Sequence, residues 1–472
     1  MGTVWKYKSE IYNKLSGDVR CDVVVVGGGL AGILTAYSLS RAGLKTVLLE
    51  AECIGNGQSR GTTAKITLCH GGNLAHIENT FGHDAAELFV KKHFGAIETF
   101  EKMIREENIE CGFERLPTYL YALYGERHVR REWETTEKFG IPCELTKKTE
   151  LPFEIALALK YENQAQFDPL RFMIGLIHGF DVYEYTRAVG IKTDGVVCEN
   201  GTVTAKHVII ATNYPILCHM KGMFPLKLHR KTAHVCLFDN CRKLNGMYIG
   251  VDGGYNYRSC EEGLIVSGET HVSGLGSGGS YERIKKNTLS HFRTARPLME
   301  WSAEDAESVD GLPYIGRLDM YEGNVYVIAG FGTWGMTNSM VASELICDLV
   351  CGRSNEAEKL YSPSRLKMNS ASDELTQGVS RAINGVVLSR FKASAELSDV
   401  PLDFGMIVRH KGKKTAVYKD KNGGIHTSSP YCPHLQCELS WNDDDKTWDC
   451  PCHGSRFDID GNLIAGPADK GI

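Results

Sequence analysis

Residues 21–51 constrain the fold more than any other stretch of this chain. They open with CDVVVV, turn through GGG, continue as LAGILTAYSLSRAG with apolar residues at helical spacing, and close on the apolar run KTVLLEA. That succession is a strand–helix–strand unit. Gly27, Gly29 and Gly32 make G-x-G-x-x-G at its turn, and Glu50 ends the second strand. The first glycine permits the tight turn, the second lets a pyrophosphate approach the backbone, and the third lets helix and strand pack closely. The helix start at Leu30 and Ala31 offers N–H donors and the positive end of the helix dipole to a phosphate. Glu50, followed by Ala51, is placed to accept hydrogen bonds from a ribose hydroxyl. The unit predicts a bound dinucleotide without separating FAD from NAD.

The chain has 472 residues, enough for two to three domains. Its 53 basic and 58 acidic residues leave a formal net charge of −5, with no basic footprint for nucleic acid. No apolar run reaches the ~18–20 residues of a membrane span. The opening MGTVWKYKSEIYNKL lacks a signal peptide's apolar core, so a cytoplasmic location is expected. Composition divides the chain into a polar N-terminal extension (1–20), a first domain (21–353), a polar aperiodic linker (354–385) and a C-terminal domain (386–472). Helical periodicity is expected over 83–108 and 374–392, and strands over 203–211 and 324–330. Short alternating strands such as KTAVYKD, turned at Asn422-Gly423, mark the last domain as β-rich.

The G-x-G-x-x-G spacing recurs twice. Gly274, Gly276 and Gly279 have no acid-ended strand after them, which reads as a mobile loop. Gly330, Gly332 and Gly335 lie between a strand and a helix, again without a following strand. They predict a helix N-terminus whose dipole favours developing negative charge.

Twelve of the 16 cysteines are scattered between Cys21 and Cys351, as buried free thiols would be in a chain without a secretion signal. The other four crowd together at the end in CPHLQC (432–437) and CPCHGS (450–455). Cys432-x-His434 and Cys450-x-x-His453 are two Cys/His pairs. Such a set can hold a tetrahedral zinc ion or, with two thiolates on one iron and two imidazoles on the other, a [2Fe–2S] cluster. Both pairs lie on Gly/Pro-bearing loops, whereas the familiar Cys₂His₂ finger carries its histidines on a helix.

Over roughly residues 20–352 the chain resembles the FAD-dependent amine and amino-acid oxidases, the D-amino-acid oxidase, glycine oxidase and sarcosine oxidase group. The resemblance rests on GGGLAG, LLEA, IGNGQSRGTTAK (54–65), VIIATN (208–213), DGLPYIG (310–316) and VIAGFGTWGMTNS (327–339). The two cysteine boxes resemble the paired cluster loops of Rieske proteins. Together these resemblances imply an α/β Rossmann-like FAD-binding domain with an inserted mixed-sheet substrate domain, followed by a small all-β Rieske [2Fe–2S] domain. Gly57, Gln58, Ser59, Thr62, Thr63 and Lys65 would then cross the pyrophosphate and flavin, with Ala211 and Thr212 also at the cofactor. Gly335, Met336 and Thr337 would face the flavin's pyrimidine end and stabilise the anionic reduced ring. Cys432, His434, Cys450 and His453 would hold the cluster, and Cys437 and Cys452 would form a disulfide linking its loops. Ser455 matches a hydroxyl donor to a cluster sulfur, but Phe457 stands where high-potential relatives carry a tyrosine, which implies a mid-range potential.

Arg258, in YNYRSC, and His271, in VSGETHV, fall where the oxidases run beside the substrate, so both are catalytic candidates. Arg258 could clamp a carboxylate. His70 reads as structural, and Trp334 as either a flavin cover or core. The expected function is oxidation of a small amine or amino acid at FAD. Electrons would pass singly to the cluster and on to an unidentified acceptor. Reversed flow from a donor, or a redox sensor without a substrate, are the alternatives.

Overall fold

The computed structural model describes residues 2–6, 12–215, 217, 223–321, 324–365 and 395–472. The helix expected over 374–392, and most of the expected linker, lie outside these residues.

Strand β1 (Val23–Val26), helix α1 (Leu30–Arg41) and strand β2 (Thr46–Leu49) form the expected unit. β1 and β2 pair in parallel, from Val23 opposite Thr46 to Val26 opposite Leu49. Every residue of both strands is buried, because layers cover both faces of their sheet. The sheet has six strands, in the order Tyr314–Arg317, Asn324–Ala329, His207–Ile210, β1, β2 and Asp181–Tyr183. All its pairings are parallel except that of Tyr314–Arg317 with Asn324–Ala329.

A nine-stranded mixed sheet forms the second layer system of this domain. Its edge is built by β3 (Leu228–Asp239) and β4 (Arg296–Ser308), which pair antiparallel with Lys231 opposite Asp305 and Thr232 opposite Glu304. Side chains alternate across such a pair. Lys231, Ala233, Ala303, Asp305 and Glu307 line an internal cavity, while Arg230, Ser302 and Glu304 face the C-terminal domain. One strand pair is thus a wall with two working faces.

The opening segment is not the polar extension its composition predicts. Val4, Trp5 and Leu15 are buried, Trp5 Nε1 donates to Thr62 O at 2.7 Å, and Val19–Arg20 pairs in parallel with Gly201–Thr204. A few apolar anchors outweigh the average polarity around them. Residues 354–365 likewise pack on the first domain. Tyr361 is buried, and Arg365 makes a bidentate pair with Asp310 at 2.7 and 2.9 Å.

The described part of the C-terminal domain is two four-stranded sheets around a core that includes Cys432, Cys437, Cys450, Trp448 and Phe457. Its hairpin between Lys413–Lys419 and Ile425–Ser428 turns where Asn422-Gly423 predicts, with Gly423 at φ +87°.

A buried ion network fastens the two domains. Arg456 meets Asp445 at 2.7 Å and Asp449 at 3.1 Å within its own domain. Across the interface it donates to Ser302 Oγ at 3.0 Å and approaches Glu304 at 3.6 Å. Arg230 answers from β3, donating to Gly454 O at 3.1 Å and to Gly466 O. Helix α2 (Ser280–His291) adds a third contact, since Asp444 accepts from Gly279 N and Ser280 N at its positive end. Replacing Arg456 by Met would leave three carboxylates facing one another out of water. It should cost about 3–5 kcal/mol, read as a lowered urea midpoint for the C-terminal domain.

Candidate cofactor sites

The cavity has a volume of about 540 Å³ and lies at the carboxyl ends of β1 and β2, where ligands bind in open α/β sheets. The motif glycines act there by close approach. Gly27 sits at φ +115°, and a Cβ on it would lie 2.4 Å from Ala211 O. A Cβ on Gly32 would lie 1.9 Å from Gly27 O, so Gly32 works behind the cavity by letting α1 pack on the turn. A Cβ on Gly29 would meet only Ser59 Oγ, at 3.2 Å, and so would project toward the ligand space. The N-cap residue of α1, Gly29, offers no side-chain cap, and the Leu30 N–H donates instead to Ser59 Oγ at 2.8 Å. The Glu50 carboxylate accepts from Gly28 N at 2.7 Å and Glu52 N at 2.8 Å. Burial raises its pKa.

Gly27, Gly29, Leu30, Ala31, Glu50 and Ala51 line the cavity. So do Gly57, Gln58, Ser59, Thr62, Thr63 and Lys65 from the next segment. Ala211 and Thr212 close one side, and Gly335 and Met336 open helix α3 (Gly335–Val350) at the far end. Two helix starts whose own N-cap residues make no side-chain cap therefore open toward one cavity, with an acid near the first of them. That arrangement fits FAD. Thr337 stands behind the lining, its hydroxyl 2.8 Å from His70 Nε2 and 3.3 Å from Thr67 O. His70 stacks on the cavity-lining Trp334 at 5.1 Å, and burial drives its pKa down, so it is a neutral structural support.

Two candidates fall elsewhere. Arg258 is not a carboxylate clamp, since its guanidinium donates to Gln166 Oε1 (2.6 Å), Thr63 O (2.5 Å) and Phe167 O (3.1 Å) and lies over the Trp5 ring. It buttresses the 62–65 segment from behind, and burial lowers its pKa to about 10. Beside it, burial and Arg258 hold Lys65 down to about 7, with Nζ on Thr63 Oγ1 at 3.0 Å. His271 stacks on His234 at 5.4 Å and packs under Gly276, outside the cavity lining. Within 274–279, expected to be a mobile loop, Gly274 is buried against the cluster loop, where a Cβ on it would lie 2.6 Å from Pro451 N, while Leu275, Gly276, Ser277 and Gly279 are exposed. The residues missed are Lys231, Asp305 and Glu307. The acid-rich alternation AEDAES was their available signal.

In the C-terminal domain, the buried Cys432 and Cys450 are hydrogen-bonded neighbours. Cys450, backbone N–H groups and the Ser455 hydroxyl together bring the Cys432 thiol down to about 7. The His434 and His453 rings stand 5.0 Å apart and nearly perpendicular. A disulfide between Cys437 and Cys452 ties the two loops together. The sulfurs of Cys437, Cys450 and Cys452 lie within 4.8 Å of one another, but two of them are spent in that bond. Cys432 and Cys450 remain as thiolate donors, matched by the two imidazoles. This two-sulfur, two-nitrogen set fits a Rieske cluster, and the donors alone would also suit zinc. Phe457 is wholly buried beside them in the domain core.

Fold and sites together define a flavin-dependent oxidoreductase carrying an iron–sulfur module. Residues 22–349 match the family described as FAD dependent oxidoreductase (DAO), and residues 391–472 match the Rieske [2Fe-2S] domain. The chain belongs to this DAO family and ends in a Rieske domain, which favours the cluster over zinc. It is 30% identical over 99% of its length to YhfW of Bacillus subtilis (strain 168), named as a Rieske 2Fe-2S iron-sulfur protein, and covers 96% of that protein. It is 26% identical, over 72% of its length and 86% of the relative, to the gamma-glutamylputrescine oxidoreductase of Escherichia coli (strain K12). Glycine oxidase from Geobacillus kaustophilus shares the fold with a TM-score of 0.63 at 18% identity, over 74% of this chain and 99% of that one.

Glu50→Gln keeps the side chain's shape and removes its charge. FAD affinity should weaken by about 1–3 kcal/mol, measured by flavin release on dilution. Metal analysis should give two irons per chain and no stoichiometric zinc. Replacing His434 or His453 by Ala should abolish the rhombic resonance of the reduced cluster while flavin content stays unchanged. A normal resonance in either variant would refute the ligand set.

Proposed function

We propose that this oxidoreductase oxidises a small amine or amino acid at the flavin cavity, and that electrons leave one at a time through the cluster toward an unidentified acceptor. When bound, FAD takes a hydride and its two electrons, and a Rieske cluster carries one electron at a time. One observation carries the reading. The β3–β4 wall lines the cavity with Lys231 and Asp305, and on its other face holds the cluster loop through Arg230 and Gly454.

The chain's own residues prepare both ends of this arrangement. Glu50, itself fixed by Gly28 N, and the α1 start would hold the dinucleotide, while Arg258 braces the 62–65 segment through Thr63 O. The α3 start turns its positive end toward the cavity, where it would favour negative charge. Its setting is rigid, since His93 bonds Asn338 at 2.9 Å as His70 bonds Thr337. Ser455 donates to Cys432 while its oxygen accepts from Ala468 N at 3.0 Å, which orients the hydroxyl at the cluster site. The names of the relatives, an amine-type oxidoreductase and a glycine oxidase, agree with a small nitrogenous substrate. No helix among the described residues is long and apolar enough to cross a membrane. Free buried thiols such as Cys69 and Cys236 support a reducing, cytoplasmic setting.

An anaerobic screen of amines and amino acids tests the function. The expected result is flavin bleaching by one of them, followed by appearance of the reduced-cluster resonance. If no candidate bleaches the flavin, and a reductant that reduces the cluster then reduces the flavin, electrons flow the other way.

A further inference from the structure

The cavity face of the β3–β4 wall carries an unusual charge pattern. Glu307 is neutralised, with Lys231 Nζ at 2.5 Å and His229 Nε2 at 3.2 Å. Asp305 lies opposite Lys231 in the strand register and lines the same cavity. Strand alternation turns Glu304 to Arg230 and Arg456 on the outer face, and so turns Asp305 inward. Among the described residues Asp305 makes no hydrogen bond or ion pair, because Lys231 is committed to Glu307. Burial raises its pKa to about 7, with Arg230 pulling the other way and Glu307 and Glu304 adding to the rise. Asp305 is half-buried, with its carboxylate facing the cavity and unpaired by protein, and a cationic ligand filling that space would both shield it from water and pair with it.

Among the described residues, each cation near the cavity is already engaged or placed away from Asp305, beginning with Lys231, which is held by Glu307. Arg258 is consumed behind the 62–65 segment. Lys65 is held down to about 7, and Arg187 stands at the Glu50 end, where its neighbour Thr186 N donates to Glu50 O. We propose that Asp305 is the specificity-determining residue of the cavity and pairs with a protonated amine. The substrate class is then an alkylammonium compound that needs no α-carboxylate. This rests on the oxidation of an amine proposed above and narrows it.

The test uses the FAD-loaded full chain and two ligands of one shape, tert-butylammonium and pivalate. Neither has a hydrogen on the carbon bearing its charged group, so both report binding without turnover. Perturbation of the flavin visible band should give a Kd for tert-butylammonium at least tenfold below that for pivalate. Asp305→Asn should weaken the amine at least tenfold and leave pivalate unchanged or improved, while Asp305→Glu should retain amine preference. If Asp305→Asn fails to hold FAD, Asp305→Ser and the comparison of the two ligands in the parent protein still decide. Pivalate binding as tightly as the amine, no saturable response to either ligand, or an unchanged amine Kd in a flavin-loaded Asp305 variant would each overturn the assignment. The two readings fail separately. Amine binding through Asp305 with no bleaching by any amine would sink the oxidase reading alone, and carboxylate preference with bleaching by an amino acid would sink this one alone.

Discussion

The relative placement of the two cofactor sites depends on one buried cation. Arg456 is almost wholly removed from water, and three carboxylates, Asp445, Asp449 and Glu304, are drawn around it. Two of them belong to its own domain, while Glu304 comes from the other. A buried charge cannot be left half-paired, so the domain that carries Arg456 is held where Glu304 can reach it. Glu304 is in turn fixed by the antiparallel register of β3 and β4, which puts its neighbour Asp305 into the cavity. The interface and the cavity wall are therefore consequences of the same strand pairing.

This coupling explains why small side chains recur at the seam. Gly454 carries the carbonyl that accepts from Arg230, and a Cβ there would lie 2.6 Å from that arginine's Cδ. Gly274 stands as close to Pro451 from the opposite side. At Gly454 the Arg230 side chain, and at Gly274 the backbone itself, approaches the cluster loop with no room for a methyl group. Close approach of this kind fixes an orientation more sharply than apolar burial, which tolerates sliding.

What could be read in advance follows the range of the interactions involved. The dinucleotide unit and both cluster loops are local. Their glycines, acids, cysteines and histidines act within a few residues of one another, and their spacing is visible in the chain. Arg258 and His271 lie on strands whose surroundings are set by distant partners. Arg258 was open to prediction as a clamp only because its true acceptors, Gln166, Thr63 and Phe167, come from 91 or more residues away. The N-terminal segment misled for a related reason, since Val4 and Trp5 find their cover only after the first domain has closed. Asp305 is hard to single out because adjoining acids in AEDAES all look like solvent-facing charge until the register assigns each a side.

The two cluster loops do not share one environment. The loop 450–455 is packed under Arg230 and the 274–279 turn, whereas Leu435 of the other loop is 40% exposed and Gln436 beside it is exposed. A macromolecule or small redox carrier that reaches the iron–sulfur site over Leu435 and Gln436 does so from outside. The flavin cavity lies on the other face of the β3–β4 wall, lined there by Lys231, Ala303 and Asp305. One strand pair thus keeps the two cofactor sites on opposite faces, so that the exposed side of the cluster loops at Leu435 and Gln436 is not part of the cavity lining.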